Sequence, residues 1–336
     1  MTKKLLSVFI FCFVALLSYY TYYFFQSPET IATFQAYTSS SHKIEKELID
    51  LYHNEDTNIQ KEAKDSIIEK ALTVTGYEQW MEFIDYIDMN LYIDNILPQQ
   101  SDQLILALNL SKDLAIIVIF DSIGSDYIYH NKIENILPIS KIDFLSNSSQ
   151  LNNMMLVYQT LDERFGSFFY EEFLQVYLFM EGKFENVWQK TLHYEEIYKE
   201  VWINPNARED LWNRVLEETT IDFIVDDAIK INTITTLQKY TTHAKEYPDV
   251  HSFSLIHQDN YKRSYYWSDD FNTFVLGEVT KEIFLWDVAL LRDMEKGRES
   301  LFGITNKNYK VITSKGEILY LSKNKFHPIF QSFLEE

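Results

Sequence analysis

The chain has 336 residues, and its 30 basic against 50 acidic side chains leave a net charge of -20, a balance that repels phosphate backbones and argues against nucleic acid as a partner. Cys12 is the only cysteine, which excludes an intramolecular disulfide and a cysteine-ligated metal site. Eight glycines and six prolines beside 23 tyrosines and 24 phenylalanines argue against folds built on glycine-rich phosphate loops, and neither dinucleotide nor Walker-type glycine motif occurs.

The first predicted element is a membrane span. After Lys3 and Lys4 the run Leu5 to Phe25 carries no charge and is long enough, as a helix, to cross a hydrocarbon core of about 30 Å. It ends in Tyr19, Tyr20, Tyr22, Tyr23, Phe24 and Phe25, rings suited to a membrane interface, where a cleaved signal would show small residues. Lys3 and Lys4 favour a cytoplasmic N-terminus, so residues 1–4 read as cytoplasmic and the rest as extracytoplasmic. Cys12, inside the run, reads as an apolar residue of the span rather than a lipidation site. The lipid bilayer is thus the first expected partner.

Residues 26–41 read as a polar linker, with Thr38-Ser-Ser-Ser41 at its end. Residues 42–100 read as a helical region. Ile44, Leu48, Leu51 and Tyr52 form one helical stripe, Ile59, Ala63, Ile67 and Ala71 a second ended by Gly76, and Tyr77 to Met89 a third.

From residue 101 to 280 the apolar runs shorten to strand length: Leu104 to Leu110, Leu114 to Phe120, Tyr127 to Tyr129, Ile139 to Leu145 and Met154 to Leu161. Phe173 to Met180, Glu181-Gly182 and Lys183 to Thr191 give the strongest hairpin pattern. Asn204 to Trp212 predicts an inserted helix. Thr220 to Val225 and the alternation Ile229, Ile231, Thr233, Thr235, Leu237 return to strands, followed by Asn260 to Trp267 and Thr273 to Val279. Residues 281–336 predict a helix from Thr280 through Met294 and a small hairpin at Val311 to Tyr320. The expected class is α+β: a transmembrane helix, a short helical region, then a mainly antiparallel β-rich domain with a few inserted helices.

The segments Asn186-Val-Trp188, Leu192 to Tyr198, and Tyr266-Trp267-Ser268 to Phe274-Val-Leu276 resemble strand units of uncharacterised membrane-anchored envelope proteins from Gram-positive, clostridia-like bacteria, over about Gln103 to Val279. They are also similar to single blades of secreted integrin-like propellers, whose Asp/Gly-rich calcium loop this sequence lacks. The resemblance implies an envelope location and no particular activity.

Motifs of chemistry are sparse. None of the eight histidines pairs at the i, i+4 spacing of a helical zinc site, and G-x-S-x-G is missing. Adjacent carboxylates such as Glu171-Glu172 and Glu217-Glu218 point to opposite faces of a strand and read mostly as an acidic solvated surface. No cofactor, metal site or catalytic residue is implied. The remaining concentration is aromatic and acidic: Tyr170, Glu171, Trp188, Tyr194 and Trp202 are the candidates for a binding surface, because such rings stack on sugars or grip peptides, while the same rings also fill sheet cores. The expected function is a non-catalytic binding or interaction domain at the cell envelope, taking a protein, peptide or glycan. A wall-directed hydrolase with carboxylate catalysis and a sensor or assembly subunit are the alternatives.

Overall fold

A computed structural model describes residues 42–99, 101–146, 152–164, 168–226, 228–279, 287–304 and 306–325. The expected span Leu5 to Phe25 and the linker lie outside them; among the described residues no helix is long and apolar enough to cross a membrane. In chain order the elements are β1 (Lys43–Glu45), α1 (Lys46–Tyr52), α2 (Thr57–Thr75), β2 (Asp88–Asp94), β3 (Gln103–Ser111), β4 (Leu114–Ile123), β5 (Asp126–Ile136), β6 (Ile139–Leu145), β7 (Met154–Asp162), β8 (Phe169–Met180) and β9 (Lys183–Lys199). There follow β10 (Leu211–Val225), β11 (Ile229–His243), β12 (Ser254–Ser268), β13 (Thr273–Val275), β14 (Gly277–Val279), β15 (Val288–Asp293), β16 (Asn308–Thr313) and β17 (Ile318–Ser322). The β-rich expectation holds.

The chain divides into two compact units, one running to Tyr86 and including Val118–His130, the other comprising Ile87–Ile117 and everything from Asn131. In the first, α2 starts on Asp56, whose carboxylate accepts from the Asn58 and Ile59 amides, and stops on Gly76 in the left-handed region. It buries Ala63, Ile67, Ile68, Ala71 and Leu72. Ile59, expected on that stripe, is 38% exposed, because a four-residue repeat drifts off a 3.6-residue helix within three steps. Ile44 belongs to β1, paired with Tyr127, so α1 turns Ile49 inward and leaves Leu51 outside.

The third expected helix is replaced by 3-10 turns over Glu78–Tyr86, broken at Phe83, and by the start of β2. Ile87, just before β2, and Met89, within it, are buried there. The helix expected at Asn204 to Trp212 is also absent. The Asn206 amide caps onto Asn204 Oδ1, Arg208 grips Asp210 through two bonds, and Trp212 is already in β10, its indole donating to the Ala244 carbonyl at 3.0 Å. Pairing with β11 and burial of Trp212 override the local helical signal. Of the helix expected from Thr280 to Met294, the described part is β15, which buries Val288, Ala289 and Leu290. The strand expected over Thr273 to Val279 is two strands, β13 and β14, separated at buried Leu276 and joining different sheets.

Those sheets lie in the second unit, which also holds β2 and β3. Eight strands run in the order β13-β12-β11-β10-β9-β8-β7-β6 and four in the order β14-β15-β16-β17, both antiparallel meanders. One core cluster joins them: Leu174, Val176, Trp188, Ile231 and Phe274 from the larger sheet meet Val288, Leu290, Tyr309 and Val311 from the smaller.

The β8–β9 hairpin turns on Glu181 (φ 51°) and Gly182 (φ 86°), the paired left-handed residues of a tight turn that matches strand twist. We expect Gly182→Ala to lower stability by about 1 kcal/mol, through the left-handed backbone alone since a Cβ there meets open space. A urea midpoint unchanged by the substitution would contradict that geometry.

Candidate functional site

Strand register assigns side chains to the inner face of the eight-stranded sheet, because directly opposed residues share a face. Three rows cross it: Glu171, Tyr194, Glu217 and Leu237; Thr219, Thr235 and Tyr261; Ile221, Thr233 and Arg263. Two apolar clusters occupy the ends of this face. Tyr194, Tyr198, Val215, Leu237 and Leu301 form one, and the cluster shared with the smaller sheet forms the other. The middle is polar.

That polar band is the wall of a cavity of about 490 Å³. Lys190 donates to Glu217 Oε1 at 2.7 Å with only 15% and 5% of the two side chains exposed. Arg298, from a 3-10 turn at Arg298–Phe302, donates to both Glu171 oxygens at 2.7 and 3.4 Å, stands 4.0 Å from Glu217 Oε2, and lies over the Tyr194 ring at 4.0 Å. Thr191 Oγ1 donates to Glu171 at 2.7 Å, and the Thr219 and Thr235 hydroxyls meet at 2.9 Å. The network is therefore a chain, Thr191–Glu171–Arg298–Glu217–Lys190. Burial depresses the Lys190 ammonium pKa; Glu217 opposes that shift, whereas Arg292 and Arg298 reinforce it.

Around this chain the cavity presents Arg263, Arg292, Lys296 and Lys310, with Asp293 as the remaining acid. Asp293 is bound by Lys323 at 2.6 Å and Arg292 by Glu299 at 2.9 Å. Trp188 and Tyr265 meet edge to face at 5.5 Å and give the cavity an aromatic wall, and burial pushes the Tyr265 phenol up to about 12.

The five binding-surface candidates divide. Glu171 and Trp188 line the cavity, and Tyr194 lies buried behind Arg298. Tyr170 is on the opposite face, in a smaller hollow of about 240 Å³ with Arg164 and Tyr247. Trp202 belongs to neither; it is 57% exposed and leans edge-on against Trp212 at 5.7 Å. Sequence reading missed Lys190, Glu217, Arg263 and Arg298. A signal existed for part of the site, since Thr233 and Thr235 interrupt an otherwise apolar inward row. Glu217, read with its neighbour as solvated surface, is 3% exposed, whereas Glu218 does face outward and meets His193 Nδ1 at 2.6 Å. Among the described residues no three His, Cys, Asp or Glu side chains gather as a metal site requires.

Lys190→Met alone should cost about 3 kcal/mol by leaving Glu217 buried without its closest cation, and Lys190→Met with Glu217→Leu should cost less than that single change. Urea unfolding of these two variants and of Glu217→Leu alone measures this, and additive losses would refute a coupled pair. A second expectation concerns alkali. Burial pushes the Tyr177 and Tyr265 phenols up to about 12 from an ordinary value of 10.0, so the folded chain holds protons that the unfolded chain releases. The stability they contribute is complete below pH 10 and is lost as the pH rises toward 12. Tyrosinate absorbance and circular dichroism should change together in that window; ionisation finished before any loss of fold would contradict it.

Compared with known protein families, curated proteins and solved structures, the chain matches none, and the reading of the site rests on its own geometry.

Proposed function

We propose that this chain is a membrane-anchored binding domain of a cell envelope, held by Leu5 to Phe25 and displayed on the extracytoplasmic side, with the cavity of its second unit as the ligand site. The observation that carries the binding role is the polar, ion-lined cavity set between two apolar clusters on one sheet face. Packing alone favours continuous apolar contact there, since exchanging a buried ion pair for well-packed apolar side chains is often neutral or stabilising. A cavity of about 490 Å³ also falls in the range of small-molecule sites.

A second reading, a carboxylate hydrolase acting on wall glycan, is favoured by one specific feature: Glu171 and Glu217 face the same cavity and share Arg298. Against it, both carboxylates are already engaged by cations as structural pairs. Glycan turnover by the full chain, abolished in Glu217→Gln, would decide for the hydrolase.

The display has its own test. Protease added to protoplasts should degrade the β-rich part while a cytosolic marker survives; full protection of folded protein would overturn the proposed orientation.

A further inference from the structure

The cavity concentrates positive charge in a chain of net charge -20. Six of its described lining residues are cations, Lys190, Arg263, Arg292, Lys296, Arg298 and Lys310, against the carboxylates of Glu171, Glu217 and Asp293. Ion pairing accounts for half of the six: Lys190 with Glu217, Arg298 with Glu171, Arg292 with Glu299. Arg263 and Lys310 have no carboxylate partner among the described residues, and Lys296 acts on Glu295 only through its charge, without an ion-pair contact.

Three observations make this more than a count. Arg263 Nη2 is buried with no hydrogen-bond partner, although Nη1 of the same guanidinium donates to the Lys262 carbonyl at 2.8 Å. A buried charged donor left unmade is costly and is normally avoided. Lys310 stands directly opposite Arg292 across β15 and β16, and since Glu299 already pairs with Arg292, the charge left without a carboxylate there is that of Lys310. Finally, burial depresses the Lys190 pKa and the charges of Arg292 and Arg298 add to that shift in the same direction.

The rest of the wall describes what else the occupant must be. Asn186 and Thr233 offer neutral donors and acceptors, and Trp188, Tyr261 and Tyr265 offer rings. Hydroxyl-bearing ligands need the first set, and the C–H faces of a pyranose suit the second. A guanidinium fork and a nearby ammonium suit an oxyanion, carboxylate or phosphate alike.

We propose that the cavity takes a small polyhydroxylated oxyanion, a sugar acid or sugar phosphate, with Arg263 and Lys310 binding its charged group and the Trp188 and Tyr265 rings beside its carbon skeleton. This deepens the binding-domain reading and rests on it. The anion supplies the acceptor that Arg263 lacks and a counter-charge for Lys310. Its attraction to the cavity is local, works against the chain's overall negative field, and weakens with added salt.

The test is calorimetric titration of the full chain in detergent micelles at low salt with glucuronate, glucose 6-phosphate and uncharged glucose. At least one of the two anionic sugars should bind about ten-fold or more tightly than glucose, and comparing them distinguishes carboxylate from phosphate. Arg263→Gln should weaken that binding about ten-fold or more, and Lys310→Gln should weaken it in the same direction. Lys230→Gln, on the outward side of β11, should leave it unchanged. The urea midpoint of Arg263→Gln should hold or rise, because the substitution removes an unpaired buried charge, which separates lost binding from lost fold. Glucose binding as tightly as the anions would overturn the anion inference and leave the binding-domain reading standing. Failure of both anionic sugars to bind, or full affinity in Arg263→Gln, would overturn it outright. Protection from protease in protoplasts would instead strike the display reading alone.

Discussion

The ionic chain Glu171–Arg298–Glu217–Lys190 is the constraint around which the second unit is arranged. It places charge on the inner face of a sheet where both neighbours along the face are apolar clusters. Charges removed from water hold their ionised form only if each is matched, so the segment bearing Arg298 must return to the sheet across 127 residues of sequence from Glu171. That return also brings Leu301 and Phe302 onto Tyr194 and Tyr198, closing one apolar cluster. The other is closed by Leu290 and Val311 of the smaller sheet. The cavity is what remains between the two closures.

Much of the fold was legible because both sheets are meanders. Strands adjacent in sequence are adjacent in space, and the hairpin at Glu181-Gly182 and the alternation through Ile229, Ile231 and Leu237 carry their pairing locally. The errors fall where tertiary pairing outranks local preference. Asn204 to Trp212 carries helix-start residues, but Trp212 is held by Ala244 and by β11. Val288 to Asp293 has a pattern that suits a helix face equally well, and burial between sheets selects a strand.

The site was less legible for a different reason. Alternation along β8 would put Phe173 on the face of Glu171, yet an extra residue in β9, Leu192, shifts the register there. Leu174 then opposes Lys190 on the inner face, three positions from Glu171. Counting by twos across that bulge separates groups that the fold unites. Glu217 was hidden by its neighbour: two adjacent glutamates look like surface, and only the register shows one in and one out. Arg298 carries no signal in its surroundings at all, since its partners lie on strands far earlier in the chain.

The polar band also bears on why the two clusters do not merge into one core. Thr233 and Thr235 occupy positions where Val or Ile would satisfy strand preference and bury more apolar area, and the Thr219–Thr235 hydroxyl pair reaches no further than the Tyr261 phenol in the same row. Filling the band with apolar residues would join the clusters, remove the buried ions and close the cavity. That the sequence instead holds two ion pairs, two threonines on one inward row and an arginine nitrogen without an acceptor means that stability is given up at one place on the face. Such local cost is expected where a fold keeps a site open for something outside itself, and here the unfilled valence is that of a donor and a positive charge.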